Sequence, residues 1–181
     1  SGKMARALAK AFYYAGAEVK LLASFETSSE PFLSLKFSSS SELLELCKSE
    51  CEWANLLVMC AAVSDFVPTK THGKIKKEDV GESLNLSLKK NVDILQSLKE
   101  FKCKKIGFKL EISNESALKS ARSMLEKKGL DAVCLNILGE KNGFASEQNE
   151  VNFITKNSEI LLPLASKDEI AGRIVELAAN L

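Results

Sequence analysis

The residues best suited to chemistry follow an apolar run near the middle of the chain. Met59-Cys60-Ala61-Ala62-Val63-Ser64-Asp65-Phe66 ends that run with small residues and then a carboxylate. Small side chains let backbone approach a flat base or a ribose. Asp65 is then placed to accept ribose hydroxyls or to help hold Mg2+; the plainer alternative is a turn residue bonded to its own backbone. After Pro68 comes Thr69-Lys70-Thr71-His72-Gly73-Lys74-Ile75-Lys76-Lys77, polar and basic. A basic loop is ordinarily just solvated. One that hangs from the end of a buried strand can swing an ammonium onto a triphosphate, an interaction of roughly 4 kcal/mol at about 4 Å and an effective dielectric near 20. His72 has no carboxylate or nucleophile beside it in sequence and reads as a surface loop residue rather than a general base.

Several other chemistries are disfavoured. The nine glycines never fall as GxGxxG or as GxxxxGK followed by Ser or Thr, so neither a dinucleotide fingerprint nor a Walker loop is present. No acidic residue closes the segment Ala17 to Ala23 to hold an adenine ribose, which weighs against an oxidoreductase. Ser1-Gly2-Lys3 opens a helix and reads as the tail of a phosphate-cradling loop, because a helix N-terminus offers unpaired amides to anions. Five cysteines (Cys47, Cys51, Cys60, Cys103, Cys134) form no CxxC pair and mostly sit in apolar segments, where a thiol acts as a small hydrophobe. Cys47 and Cys51 share a helix face, but only His72 could join them as a soft metal ligand. With 25 basic and 24 acidic residues spread along 181, no whole-molecule field favours nucleic acid or an anionic membrane. Neither a membrane-length apolar run nor a secretory signal is present, so a cytoplasmic protein is expected.

The elements that must position these residues alternate. Met4, Leu8, Ala11, Phe12 and Ala15 recur at helical spacing, predicting a helix over 3–15 that stops at Gly16. A strand is expected over 17–23 and a short one over 32–37. Ser39 and Glu42 form a capping-box pattern ahead of a helix over 40–51. Residues 56–63 have the near-continuous apolar character of a parallel strand covered on both faces. Leu84, Leu86 and Leu88 alternate with polar residues as a half-buried strand, and Asn91 is read as the cap of a helix reaching Phe101. A strand over 103–110, a helix closed by Lys127-Lys128-Gly129, strands over 130–135, 151–155 and 159–164, and a last helix capped by Ser166 and Glu169 complete the pattern. Alternation of this kind predicts one α/β domain over 1–181, a Rossmann-like three-layer fold with a mostly parallel sheet and ligands at the carboxyl ends of the strands. Such folds usually open on a strand, so a first strand and its loop are expected upstream of Ser1.

The ordered set AAVSDFVP, KIKK, LKKNVDIL, GFKLE, KKGLD and Asn136 resembles the synthetase domain of bacterial phosphopantothenoylcysteine synthetase, from Ser1 to the last helix. That family is a phosphopantothenate-cysteine ligase of coenzyme A biosynthesis, often fused behind a flavin-dependent decarboxylase. The resemblance implies a homodimer, with CTP, 4'-phosphopantothenate and cysteine as partners and Mg2+ accompanying CTP. It implies attack of the substrate carboxylate on the α-phosphate of CTP to give an acyl-cytidylate and pyrophosphate, followed by displacement of CMP by the cysteine amine. Such catalysis rests on positioning and charge stabilisation.

By the same resemblance Met59, Cys60 and Ala61 meet cytosine through backbone, and Asp65 faces the ribose or the metal. Lys74 is the catalytic phosphate-binding residue of a lid over 66–80. Val92, Asp93, Ile94 and Leu95 cradle further nucleotide atoms, Phe108 and Lys128 complete the nucleotide set, and Asn136 binds substrate. Taken alone, Phe108 reads as core, Asp93 as a first-turn charge and Lys128 as a last-turn charge. Three departures stand out: Val92 where the family commonly has proline, the larger side chains of GFKLE, and Met124 where a second nucleotide-binding lysine is expected. The family's asparagine that stabilises the acyl-nucleotide is expected in the loop upstream of Ser1. The contrasting expectation is a nucleotide-fold assembly domain of a larger polypeptide with no activity of its own.

Overall fold

The computed structural model describes residues 2–27, 29–69, 73–76, 82–112, 114–137 and 148–181. Helix α1 (Lys3–Tyr14) leads to β1 (Lys20–Ala23), β2 (Leu33–Lys36) and α2 (Ser40–Trp53). Ser39 caps α2, its hydroxyl accepting from the Glu42 amide at 3.2 Å. Strand β3 (Leu56–Met59) is followed by β4 (Phe66–Pro68), β5 (Leu88–Lys90) and the single turn α3 (Ile94–Ser97). Then come β6 (Lys104–Glu111), α4 (Asn114–Lys128), β7 (Ala132–Ile137), β8 (Gln148–Thr155), β9 (Glu159–Ser166) and α5 (Lys167–Ala178). Gly129 closes α4 at a φ of 60°, and the Leu130 amide reaches back to the Leu125 carbonyl at 2.9 Å. That left-handed turn is the conformation for which glycine is selected.

The central sheet has the order β3-β6-β7-β8-β9. β3, β6 and β7 pair in parallel, while β8 pairs antiparallel with both β7 and β9. Four of the five strands therefore point the same way, and β8 alone is reversed. β1 and β2 form a separate parallel pair. Because successive strand residues face opposite sides, the sheet has two distinct faces. One packs Met59, Val133 and Leu135 against α2, α3 and α4 through Leu43, Cys47, Leu95, Ala121 and Leu125. The other packs Ile106, Cys134 and Phe153 against α1 and α5 through Leu8, Ile170 and Ile174. This is the expected three-layer arrangement.

Three local expectations are corrected. The strand expected over 56–63 ends at Met59, at the sheet edge, and residues 60–65 continue as irregular chain. Leu84, Leu86 and Leu88 are not half-buried: each is more than half exposed, and only Leu88 joins a strand, pairing with Pro68 in a two-stranded antiparallel arm. The helix expected from Asn91 to Phe101 shrinks to α3 and is capped by Asp93, whose Oδ1 accepts from the Gln96 amide at 3.1 Å. Lys70, Thr71, His72 and Lys77 lie outside the described residues, as does part of the 66–80 lid.

Candidate active site

The parallel strands β3, β6 and β7 deliver their exits side by side, at the end where open α/β sheets receive ligands. Register aligns Met59 with Gly107 and Phe108 with Cys134. Met59 is buried, its side chain turned into the α2–α4 layer. Cys60 is half-buried, with its sulfur enclosed on the opposite face beside Cys134. Burial pushes the Cys60 thiol up to about 12, so it is neither nucleophile nor metal ligand at neutral pH. With both side chains committed to the core, what residues 59–61 offer a ligand is backbone. Ala61, Ser64 and Asp65 are exposed.

The loop that carries Asp65 is tied down by Asn91. The Asn91 amide donates to the Asp65 carbonyl at 2.7 Å, and its side-chain Nδ2 donates to the Ser64 carbonyl at 2.9 Å. Its Oδ1 accepts from the Val92 amide at 3.0 Å and from the Ser40 hydroxyl at 3.2 Å. One side chain thus joins the β3 exit, the start of α2 and the entry to α3. Sequence reading treated Asn91 as a helix cap and missed this role; its position immediately after a basic strand was the available signal.

Asp93 and Lys128 meet directly, with Lys128 Nζ 2.9 Å from Asp93 Oδ2. Ile94 and Leu95 are buried in the same layer, so only their backbone can serve a ligand, while Val92 is exposed. Gly107 lies beneath: a Cβ there would stand 2.8 Å from the side-chain tips of Met124 and Leu130, which would have to shift to admit it. Phe108 is half-buried with the α1–α5 layer, and Asn136, on the same sheet face, follows Cys134 at the β7 exit. Lys74 is exposed, and no hydrogen bond or ion pair among the described residues links it to the strand exits. The structure therefore brings Met59, Cys60, Ala61, Phe108 and Asn136 to one sheet end and couples Asp93 with Lys128 on the α4 face.

The Asp65 carboxylate is exposed and enters none of the ion pairs among the described residues. Mg2+ delivered with nucleotide phosphates commonly takes only one or two protein carboxylates, so a single acidic residue fits that role. Among the described residues no three His, Cys, Asp or Glu side chains converge as a metal cage. Cys47 and Cys51 are core thiols pushed up to about 11 and about 12, by burial first and then by neighbouring Cys103. Shallow clefts lie at the opposite end of the sheet, around Leu130, Thr155 and Lys156. Strand polarity and the clustered polar groups favour the carboxyl end as the site.

Comparison with known proteins identifies the family. The family model for the DNA/pantothenate metabolism flavoprotein C-terminal domain matches residues 1–181. The coenzyme A biosynthesis bifunctional protein CoaBC of Vibrio cholerae is 34% identical over 98% of this chain and 46% of its own length. The chain thus spans about half the length of the curated relatives it matches. A crystal structure of the C-terminal domain of a CoaBC protein superposes with a TM-score of 0.78 at 26% identity, covering 98% of this chain and 81% of that one. The DNA/pantothenate metabolism flavoprotein from Streptococcus pneumoniae shares the fold at a TM-score of 0.82 and 22% identity, covering 98% and 87%.

Proposed function

This chain belongs to the family of the DNA/pantothenate metabolism flavoprotein C-terminal domain, and we propose that it is the ligase domain of a cytoplasmic coenzyme A biosynthesis enzyme. The reaction joins 4'-phosphopantothenate to cysteine. The observation that carries this reading is the row of strand exits: a backbone shelf after β3, Phe108 on β6 and Asn136 on β7, with Asn91 fixing the loop that bears Asp65.

In the first half-reaction the substrate carboxylate oxygen attacks the α-phosphorus of CTP, and the bond to pyrophosphate breaks. In the second, the cysteine amine attacks the acyl carbon, loses a proton, and CMP departs with the bonding electrons. Neither half requires a covalent bond to the protein. The chain's contribution is alignment of the reacting atoms and neutralisation of charge. Backbone at 59–61 meets the base, Asp65 meets the ribose or the metal, and Lys74 and Lys128 meet phosphates. Asn136 orients the pantothenate portion. Mg2+, held by Asp65 together with the phosphates, would supply further charge neutralisation.

The arm formed by β4 and β5 supports a homodimer. Phe66, Leu86, Leu88 and Val92 are all more than half exposed, more apolar surface than an arm in water would keep uncovered. The relatives' description as bifunctional supports fusion to, or assembly with, a flavin-dependent decarboxylase. Among the described residues no helix is long and apolar enough to cross a membrane.

The test is incubation of the full-length protein with CTP, 4'-phosphopantothenate and cysteine, following CMP, pyrophosphate and the amide product. Stoichiometric CMP and amide are expected, with ATP a poorer substitute. Saturable nucleotide binding without any amide would overturn the ligase reading and leave the assembly domain standing.

A further inference from the structure

β6 lies between β3 and β7, so a ligand reaching from the shelf at 59–61 to Asn136 must cross the β6 exit. On the sheet face that carries Gly107, the next residues toward that exit are Lys109 and Glu111. Register sets Lys109 beside Leu135, one residue short of Asn136, which faces the other side of the sheet. The Lys109 side chain is 23% exposed, and its Nζ lies 3.0 Å from Glu111 Oε1. The Ser120 hydroxyl, from α4, donates to the same carboxylate, and the two contacts hold it below the usual carboxylate range, Lys109 contributing more. A lysine on a strand ordinarily extends into water to keep its conformational freedom. This one is folded against its own strand by an acid that is itself anchored.

The chemistry supplies the reason. Resting on the ligase reading above, CTP and 4'-phosphopantothenate bring a triphosphate and a phosphate monoester to one small region. Lys128, one of the two lysines so far assigned to them, already spends charge on Asp93 at 2.9 Å. An ammonium has three N–H donors, and Glu111 needs one of them. Two remain on Lys109, whose ammonium is held beside Glu111, two residues nearer the exit of β6.

We infer that Lys109 is a further substrate-binding residue, donating to a phosphate group as it crosses the β6 exit, and that Glu111 and Ser120 position its ammonium. Lys109→Met in the full-length protein should raise KM for one phosphate-bearing substrate at least tenfold while changing kcat less than threefold. Varying CTP and 4'-phosphopantothenate separately shows which phosphate is held. Lys109→Arg should restore KM to within threefold of wild type, and Glu111→Gln should raise the same KM by a smaller factor. Unchanged KM values for both substrates in Lys109→Met overturn the inference. Should the wild-type protein prove to have no ligase activity, calorimetric titration with inorganic pyrophosphate decides: equal affinity of wild type and Lys109→Met excludes the lysine, whereas a tenfold loss retains it as an anion site. Should Lys109→Met fail to fold, Lys109→Gln, which keeps length and polarity, is read by the same criteria.

Discussion

Within β3, β6 and β7, Met59, Ile106 and Leu135 are enclosed between two helical layers, whereas along the arm of the protomer Phe66, Leu86 and Leu88 are exposed. Both regions are expected to meet the nucleotide, yet they are held differently. The strand exits inherit rigidity from close packing on both sides of a sheet. The arm has one antiparallel ladder, and the β3 exit behind it is fastened chiefly through Asn91. A site built this way keeps the groups at the strand exits fixed and hangs the arm on few contacts.

The largest expected contrast is in stability. Phe153, 1% exposed in the layer under α1 and α5, should cost about 3–5 kcal/mol when cut to alanine. Leu86→Ser on the arm should cost the fold of the protomer under about 0.5 kcal/mol, its effect falling on the dimer instead. Guanidinium unfolding at protein concentrations low enough to keep protomers apart measures both, and a comparable loss for Leu86→Ser would mean that the arm packs against its own protomer. Next comes activity: Lys74→Gln should lower kcat/KM about a hundredfold, the usual effect of removing one charge-stabilising donor, with the melting temperature unchanged. Full activity in that variant would remove the lid from the mechanism.

Asn91→Ala probes the joint between the two regions. It should destabilise by about 1–2 kcal/mol through lost side-chain hydrogen bonds and raise KM for CTP by loosening the Asp65 loop. A stability loss with no change in KM would dissociate that loop from the nucleotide. The smallest effect is on pH dependence. Because Lys109 and Ser120 depress the folded-state pKa of Glu111, its contribution is present above the ordinary glutamate value near 4.3 and is lost as pH falls through the depressed value. The difference in melting temperature between wild type and Glu111→Gln should hold steady from pH 8 to about pH 5 and shrink below about pH 4.

Most of the framework was legible because local signals and burial agree there. α1 and α5 show their apolar stripes, and the Ser166–Glu169 capping box forms reciprocally as its spacing implies. Alternation of strands and helices was enough for the layers. The arm was misread because Leu84, Leu86 and Leu88 keep the same period whether they face their own core or something outside it. The cap moved from Asn91 to Asp93 for a different reason. Both residues are good caps, and bonds to Ser64 and Ser40, distant in sequence, decide between them. Lys109 escaped notice because it is one of three lysines in β6 and carries no motif. Its importance depends on which strands lie to either side.

The packing of α1 against α5 bears on how the protein is made. Met4, Leu8 and Phe12 meet Ile170, Ile174 and Leu177, so α1 leaves the ribosome well before the partner helix that covers it. At about 5–20 residues per second, translation leaves that apolar stripe waiting on the order of ten to thirty seconds. During that interval it is a natural target for chaperones, and truncation near the C-terminus should leave a nascent product prone to aggregation rather than a smaller folded one.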